Sequence, residues 1–457
     1  MLACHTPCKW KPHPDTHGFH STLRGRVVLL PDSPLEGLPG ATLLTRYAYA
    51  MNRHSLSLIA AAALVAGCSQ DSAEDFTVAA TPEVSPAGPA SGEPFLSSID
   101  SVVYMSWLEK TEPGHDLRFS RFDGASWDEP LTVASSDRFF VNWADFPSIR
   151  PGPDGTLWAH WLQRGAAGGY DYGVRIAHSA DQGRTWSEPW TPHDDTSATE
   201  HGFVSATTDS DHIGFVWLDG RKYADLPDGT PGSKEMTVRY RTVSSDGTPG
   251  PEMLIDGRVC DCCQTATAMT SAGPVVAYRN RTEAEIRDIY VARMVDGTWL
   301  EGAPVHDDGW EIAGCPVNGP ALTASGEEVA VAWFTGAGDV PRTNLAFSKD
   351  GGASFGAPIV IDDGSPVGRV DLLQAGDGSV VVVWLEGTGG EGAEVRLRRV
   401  TPDGDVTESV AVTTTSAERP SGFPRLAQTG DGALLLAWTD VSGGEPQVRV
   451  TKLQLGR

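Results

Sequence analysis

The chain has 457 residues, a formal net charge of −25, and 51 glycines, 32 prolines and 14 tryptophans. So acidic a protein repels phosphate backbones, which excludes nucleic acid as an expected partner. Beyond the N-terminal segment there is no long stretch of Ala, Leu, Glu and Lys at helical spacing, and this composition favours an all-β chain.

The N-terminal region carries the features of an export leader. Residues 51–67 combine a basic start, an apolar run too short to span a bilayer and small residues before Cys68. The four residues that end at Cys68 (VAGC) resemble a bacterial lipobox, in which the cysteine is lipidated; a plain signal peptide with a chance cysteine is the alternative. Because a leader begins a chain, we expect Met51 to be the true start and residues 1–50 to be a mis-called, unstructured extension.

The segment after the leader reads as a tether. Residues 68–92 are rich in Ser, Ala, Pro and acidic residues, whereas residues 93–457 show regular strand patterns. We therefore expect a monomeric domain that is exported and lipid-anchored in the bacterial cell envelope, on the periplasmic or surface face of the outer membrane. The anchor alone would contact the membrane.

A repeat of about 55 residues runs through the rest of the chain. Seven short apolar runs each end in an aromatic residue, at spacings of 51 to 61 residues. The aromatic residues are Trp107, Trp161, Trp217, Tyr278, Trp333, Trp384 and Trp438. In most repeats a tight turn precedes the apolar run, and a second turn follows the strand that comes after this run. This period is typical of a β-propeller with four-stranded blades, for which we predict seven blades, with six as the alternative.

The last repeat ends one strand short. Residues 75–82 (DFTVAATP) have the character of the missing strand. Pairing them with the last repeat would close the ring and remove its exposed edges.

Two of the second turns share a detailed motif. Its members are Ser179, Asp181, Gly183 and Trp186 in one turn and Ser348, Asp350, Gly352 and Phe355 in the other. Both turns resemble the Asp boxes of sialidases. The resemblance implies a sialidase-like propeller, and in that family the boxes lie on the face away from the active site.

The catalytic motifs of that family are not matched. Sialidases clamp the substrate carboxylate with three arginines, the first in an Arg-Ile-Pro motif, and use a late tyrosine as nucleophile. Here the nearest segments are Ile149-Arg150-Pro151 and Phe423-Pro424-Arg425, and no tyrosine follows Tyr290. If the chain is an enzyme, we expect a glycoside hydrolase of the exo-sialidase type, with weak or no activity on standard sialosides.

The long, irregular loops between blades collect four cysteines. Cys260, Cys262 and Cys263 lie in one loop and Cys315 lies in the next, and Cys262 and Cys315 occupy equivalent places in adjacent repeats. We expect all four to meet near the channel mouth. Two disulfides are the first interpretation, with at least one bridge from Cys315 to the other three.

A thiolate metal site is the second interpretation of these cysteines, and a redox-active pair is the third. Soft sulfur ligands would suit copper or zinc, with His201 or His306 nearby as further ligands. No other cofactor is indicated.

The same face carries charged candidates for a ligand site. The expected ligand-binding residues are Arg221, Lys222, Arg279, Arg281, Trp310 and Asn318. The candidate acid/base residues are Asp219, Glu283 and Asp145. Arginine forks bind carboxylates in a bidentate manner, so this set suggests an acidic ligand; ordinary surface ion pairs are the alternative.

Three functional hypotheses follow. The first is a cell-envelope, sialidase-like propeller that binds an acidic glycan or similar carboxylate ligand at the channel mouth, with hydrolysis as an extension. The second is a non-enzymatic binding or assembly propeller, which an apolar mouth would favour. The third is a metal or redox protein that uses the cysteines, which reduced thiols in the folded protein would favour.

Overall fold

The computed structural model describes residues 76–224, 226 and 235–456. The predictions for residues 1–67, for Cys68 and for the first part of the tether lie outside the described residues. Within the described ranges, strands dominate, and helical structure is limited to three 3-10 turns, Arg221–Tyr223, Ala337–Asp339 and Arg419–Ser421. No helix of this part of the chain is long and apolar enough to cross a membrane.

The strands form seven antiparallel sheets in chain order, apart from β1 (Val78–Glu83), which belongs to the last sheet. Blade 1 contains β2 (Ser91–Ile99), β3 (Val102–Lys110), β4 (His115–Phe122) and β5 (Leu131–Ser136). Blade 2 contains β6 (Ser148–Pro151), β7 (Leu157–Arg164) and β8 (Tyr172–Ser179), and the outer position is held by a single bridge from Trp190 to Ile176. Blade 3 contains β9 (His201–Thr208), β10 (His212–Asp219), β11 (Met236–Ser244) and β12 (Met253–Val259).

The remaining four blades repeat the pattern. Blade 4 contains β13 (Ala266–Thr270), β14 (Gly273–Arg279), β15 (Ile289–Val295), β16 (Thr298–Trp299) and β17 (Ala303–Pro304). Blade 5 contains β18 (Ala321–Ser325), β19 (Glu328–Thr335), β20 (Arg342–Ser348) and β21 (Ile359–Val360). Blade 6 contains β22 (Pro366–Gln374), β23 (Val380–Gly389), β24 (Gly392–Val400) and β25 (Val410–Ser416). Blade 7 contains β26 (Arg425–Gln428), β27 (Leu434–Asp440), β28 (Gln447–Leu455) and β1. The predicted all-β propeller with seven blades is confirmed.

The aromatic residue of each repeat lies on the second strand of its blade, where the hydrophobic core is built. Trp107, Trp217, Trp333 and Trp384 are fully buried. The core clusters join neighbouring blades; one of them, for example, packs Trp384 of blade 6 with residues of blade 5. Stacking of adjacent sheets through these strands therefore forms the core between blades and leaves the innermost strands to line the channel.

The ring is closed by the first described strand. β1 pairs antiparallel with β28 over six residues, from Val78 opposite Leu455 to Glu83 opposite Val450. Phe76 and Val78 pack against the core cluster shared by blades 6 and 7. The outer edge of blade 7 is thus covered by a segment that overlaps residues 75–82.

The two motif turns adopt one hydrogen-bond pattern. In the first, Asp181 accepts hydrogen bonds from the Thr185 backbone N–H at 2.8 Å and from the Thr185 hydroxyl at 2.7 Å, while Ser179 Oγ accepts the Gly183 N–H at 2.8 Å. Gly183 has φ of +83°, and a Cβ there would lie 2.2 Å from Phe119. Trp186 then packs edge-on against Phe119 at 6.1 Å, between blades 1 and 2.

The second motif turn repeats these contacts. Asp350 accepts from the Ser354 N–H at 2.9 Å and from its hydroxyl at 2.6 Å, and Ser348 Oγ accepts the Gly352 N–H at 2.9 Å. Phe355 packs against the cluster between blades 4 and 5. The motif is therefore a device for holding the turn and wedging an aromatic ring between blades.

Candidate functional site

The innermost strands of all seven blades line a single cavity of about 170 Å³. Each blade contributes at least one residue to its wall: Leu96, Arg150, Ser205, Thr267, Leu322, Leu372 and Leu426. Compared with the volume that a cavity needs to hold one water molecule, this volume has room for about ten waters or for a small organic ligand. The channel is therefore the natural place for a small ligand.

One side of this cavity is aromatic. Phe95 and Phe146 stack with ring centres 6.2 Å apart, and Phe146 lies 5.9 Å from Phe423. Trp143 stacks on Phe423 from behind at 5.9 Å. Blades 1, 2 and 7 thus present flat apolar faces to the cavity.

Two arginines rest on this aromatic wall. The guanidinium carbon of Arg425 lies 4.3 Å from the ring centre of Phe146, and that of Arg150 lies 4.5 Å from the ring centre of Phe95. A cation–π contact attracts the charge without using an N–H donor. Both guanidinium groups are therefore held in place with their hydrogen-bonding capacity largely unused.

The hydrogen-bond partners of these arginines are few. The Nε atom of each is buried without a partner among the described residues, and Arg150 makes no ion pair with any of them. The nearest carboxylate oxygen to Arg425 belongs to Asp371, 3.8 Å from Nη1. Asp371 already accepts the backbone N–H groups of Leu372 at 3.0 Å and Leu426 at 2.9 Å.

The cavity wall consequently holds two guanidinium groups and two carboxyl groups, those of Asp371 and Asp145. Burial, reinforced by the charge of Arg425, lowers the pKa of Arg150 to about 10. Burial also lowers the pKa of Arg425, and it raises that of Asp371 despite the attraction of Arg425. Burial of these two charged groups is therefore unfavourable, and an anion bound in the cavity would offset the loss of their hydration.

Asp145 is the one predicted acid/base residue that lines the cavity. Its carboxyl oxygens accept the Phe203 backbone N–H at 2.7 Å and the Tyr172 hydroxyl at 3.2 Å. Burial raises the pKa of Asp145 to about 7, although both hydrogen bonds oppose the shift. A substantial fraction of this carboxyl group is therefore protonated near neutral pH.

The other two predicted acid/base residues lie elsewhere. Asp219 is fully buried and accepts hydrogen bonds from Trp217 Nε1 at 3.1 Å and from Arg221 at 2.7 Å. Burial opposes its ionisation, but the bonds from Arg221 outweigh this, so the pKa of Asp219 lies below its usual range. The side chain of Glu283 is 94% exposed and is 3.6 Å from Arg258. We therefore assign neither to the cavity.

Two of the predicted basic residues, on blade 3, already have protein partners. Arg221 binds Asp219 through Nε and Nη2, both at 2.7 Å, and Glu252 at 2.9 Å. Lys222 donates to the Gly257 carbonyl and lies 3.8 Å from Glu235. These side chains brace the loop after β10 and do not line the cavity.

The two predicted arginines of blade 4 are buried and likewise engaged. Arg279 donates to the carbonyl oxygens of Asn318 at 2.8 Å, Arg287 at 2.6 Å and Phe334 at 2.8 Å. Arg281 forms an ion pair with Glu285 at 2.7 Å. Their N–H donors serve the protein's own backbone and loops.

Trp310 and Asn318 belong to the same bracing network. The guanidinium carbon of Arg279 lies 4.9 Å from the Trp310 ring centre. Asn318 accepts the Arg369 N–H at 2.7 Å and donates to the Val367 carbonyl at 3.2 Å, which links blade 5 to blade 6.

The cysteine loops meet as the repeat alignment predicts. Cys260, Cys262 and Cys263 place their sulfur atoms within 4.8 Å of one another, and Cys315 reaches the same distance range from Cys262. All four described cysteines are free thiols, so the predicted bridge from Cys315 is absent in the structure. The sulfurs approach one another without bonding, so the structure does not support the predicted disulfides.

Neither predicted histidine ligand joins the cysteines among the described residues. His201 Nε2 lies 3.0 Å from Asp195 and 3.7 Å from Asp219, and its ring stacks on His193 at 3.8 Å. His306 is half-exposed and pairs with Asp308 at 2.9 Å.

Sequence reasoning noted the two arginines of the cavity only as the nearest match to the sialidase arginine motif and did not assign them to the ligand site. Arg150 and Arg425 follow closely after Phe146-Pro147 and Phe423-Pro424, on the innermost strands of blades 2 and 7. This shared placement is visible in the sequence, and ring closure makes the two blades near neighbours of blade 1.

No protein-family model matches the chain, and no curated protein sequence matches it. Solved structures with a similar fold include a protein of unknown function from Dyadobacter fermentans, at 14% identity and a TM-score of 0.49 over 83% of this chain and 99% of that one. An α-L-arabinanase from Penicillium chrysogenum complexed with arabinobiose has 12% identity and a TM-score of 0.46 over 82% and 98%. The Trypanosoma rangeli sialidase in complex with the inhibitor DANA has 11% identity and a TM-score of 0.43 over 67% and 54%. Each is a similarity of overall fold at low sequence identity.

Proposed function

We propose that this propeller binds a small carboxylate ligand, such as an acidic sugar, in its axial cavity. The observation that carries the proposal is the pair Arg150 and Arg425, which line the cavity with Nε atoms that have no partner among the described residues. The one ion pair that either of them forms in this part of the chain joins Arg425 to Asp371 at 3.8 Å. The carboxylate hypothesis from the sequence is kept, but the proposed binding residues are Arg150 and Arg425 of blades 2 and 7 instead of the predicted residues of blades 3 and 4 and of the loop that leads to blade 5.

The chemistry of the wall supports a carboxylate attached to an apolar or sugar-like body. A guanidinium group offers parallel N–H donors that match a carboxylate, and such charge-assisted bonds strengthen when water is excluded. The rings of Phe95, Phe146 and Phe423 supply flat apolar faces beside the two charges. A ligand with a carboxylate on one side and C–H groups on the other would satisfy both.

The cation–π contacts would also lower the entropic cost of binding. Each guanidinium already rests on an aromatic ring, so ligand binding would immobilise little further side-chain motion. Preorganisation of this kind raises affinity by reducing the cost of ordering.

Hydrolysis of a bound glycan is a second proposal, favoured by Asp145. A partly protonated carboxyl group in the cavity wall is a candidate general acid. Glycosidases generally require paired carboxylates, and Asp371 is the other carboxylate in this wall. We expect little or no turnover of standard sialosides, because the sialidase motifs are not matched.

Isothermal titration calorimetry of the full chain with glucuronate tests the binding proposal, with glucose as the neutral matched ligand. We expect one saturable site for glucuronate and none for glucose. Arg425→Met should weaken glucuronate binding at least about tenfold, the loss of one charge-assisted pair. The control Arg449→Met changes an arginine of β28 whose side chain is 49% exposed and pairs with Asp440. Equal affinity for both sugars, or equal losses in both variants, would refute the proposal.

A further inference from the structure

The four cysteines form a cluster that the anion site does not use. They lie in two loops, one from β12 of blade 3 to β13 of blade 4 and the other from β17 of blade 4 to β18 of blade 5, so the cluster brings two successive inter-blade loops together. Cys260 and Cys263 are buried, Cys262 is partly buried and Cys315 is exposed. The cluster therefore has a buried base and one member that solvent can reach.

The sulfur spacing is that of ligands around a metal ion. Cys260 Sγ lies 3.8 Å from Cys262 Sγ and 3.6 Å from Cys263 Sγ. A tetrahedral ion with metal–sulfur bonds of about 2.3 Å places its sulfurs about 3.8 Å apart. Cys262 is also within 4.8 Å of Cys315, so the fourth thiol lies next to one member of the set and would join it by moving toward Cys260 and Cys263.

The spacing differs from that of disulfides. A bonded pair of sulfurs is about 2.05 Å apart, whereas Cys260 lies 3.8 Å and 3.6 Å from its two neighbours and all four described cysteines are free. Forming one bridge within Cys260, Cys262 and Cys263 would leave two thiols, the third of these cysteines and Cys315, as the only partners for a second bridge. Three sulfurs that lie close together, with a fourth beside one of them, are better accounted for by one shared ligand.

The surroundings suit negatively charged sulfur. Arg287, whose side chain is only 4% exposed, donates from Nη1 to Cys260 Sγ at 3.3 Å and contacts Asp261 at 3.2 Å. A buried N–H donor to a sulfur atom stabilises the thiolate and orients it, as outer partners of metal ligands do. Asp261 Oδ2 lies 3.9 Å from Cys315 Sγ and offers a hard oxygen at the exposed side.

We propose that Cys260, Cys262, Cys263 and Cys315 bind one thiophilic cation, Cu(I) or Zn(II), as thiolates. Each ligating thiol would release its proton to solvent as its bond to the metal forms. Soft sulfur ligands select these ions over Mg²⁺ or Ca²⁺, and an all-sulfur set leaves no open position for catalysis by Zn(II).

The site would also fix the wall of the anion cavity. Gln264 follows Cys263 directly, lines that cavity, and bonds both the Ala144 carbonyl and the Gly319 N–H, the latter at 2.9 Å. A metal tying these two loops together would hold Gln264 and its neighbours in register. Metal loading would then raise thermal stability whether or not an anion is bound.

The test is metal titration of the reduced full chain under anaerobic conditions. Cu(I) is added against a chromogenic Cu(I) chelator in one arm, and Zn(II) against a zinc chelator in the other; Co(II) serves as a spectroscopic probe. We expect one equivalent bound in one arm, sulfur-to-cobalt charge-transfer absorption, and a raised Tm. The arm with the tighter binding identifies the cation.

Variants separate the site from adventitious binding. Cys315→Ser replaces an exposed residue and should fold, yet should weaken binding at least about tenfold. Ala313→Ser, an exposed change in the same loop, is the matched control and should bind as the original chain does. No stoichiometric binding in either arm, unchanged binding in Cys315→Ser, or a disulfide among these cysteines by peptide mapping of the oxidised chain would each overturn the proposal.

Discussion

Replacing Arg150 with methionine should stabilise the protein while it weakens ligand binding. The side chain of Arg150 keeps its charge in the cavity without an acceptor among the described residues. A pKa lowered from 12.5 to about 10 corresponds to a cost of about 3 kcal/mol for holding the charge at neutral pH. The contact with Phe95 offsets about 1–2 kcal/mol of this cost.

The net gain in Arg150→Met is therefore about 1–2 kcal/mol, which corresponds to a rise in Tm of about 2–4 °C for a domain of this size. Because the folded-state pKa of Arg150 is depressed, the penalty applies at all pH values well below 10 and fades only as the pH rises through that value. The gain should thus be the same at pH 6 and pH 8.

Differential scanning calorimetry in a buffer of low ionic strength without carboxylate, phosphate or sulfate measures this gain. The control Arg449→Met should change stability by no more than about 0.5 kcal/mol, since exposed ion pairs contribute little. A fall in Tm for Arg150→Met, or a change equal to that of the control, would refute the view that the buried charge of Arg150 destabilises the fold and is available for ligand binding.

Three further predictions concern other parts of the chain. Asp145 has a folded-state pKa of about 7, above its ordinary 3.8, so its neutral form adds stability that is lost as the pH rises through 7. In urea unfolding, the free energy of unfolding should therefore fall less from pH 5 to pH 8 in Asp145→Asn than in the original chain. An equal fall in both would contradict this assignment. Deleting residues 69–84 removes β1 and exposes the edge of β28, so Tm should fall markedly; an unchanged Tm would mean that the ring is closed without it. Mass spectrometry of the exported protein should find a lipid-modified N-terminus at Cys68, and an unmodified N-terminus elsewhere would remove the membrane anchor.

The propeller could be predicted because its core repeats. Every blade needs one apolar strand buried between its neighbours, so the aromatic ends of these strands recur at a nearly constant spacing, from Trp107 to Trp438. The equivalence of Cys262 and Cys315 follows from the same repeat, and their sulfurs do meet in the structure. Their bonding state depends on distances of an ångström or two, which the repeat does not determine.

The ligand-binding arginines could not be predicted from charge alone. Arg221 is a conspicuous cation in an acidic chain, but its partner Asp219 lies only two residues away. Asp219 in turn accepts the Trp217 Nε1–H, just as Glu109 and Glu386 accept from the tryptophans two residues before them. This Trp-x-acid pattern is visible in the sequence and indicates a structural role for Asp219.

Arg150 shows the opposite case. Nothing near it in the sequence marks it as unpaired, because its surroundings are assembled from blades 1, 2 and 7. The closed ring of blades determines whether a guanidinium group faces a carboxylate or an aromatic side chain across the channel. Only the three-dimensional structure identifies it as an available donor.

The location of the bound anion tests the central claim most directly. A crystal structure of the full chain with glucuronate should show the ligand carboxylate within hydrogen-bond distance of both Arg150 and Arg425, with the sugar ring against the aromatic wall. A carboxylate bound away from these two arginines, or an axial cavity that holds only water at saturating glucuronate, would contradict the account.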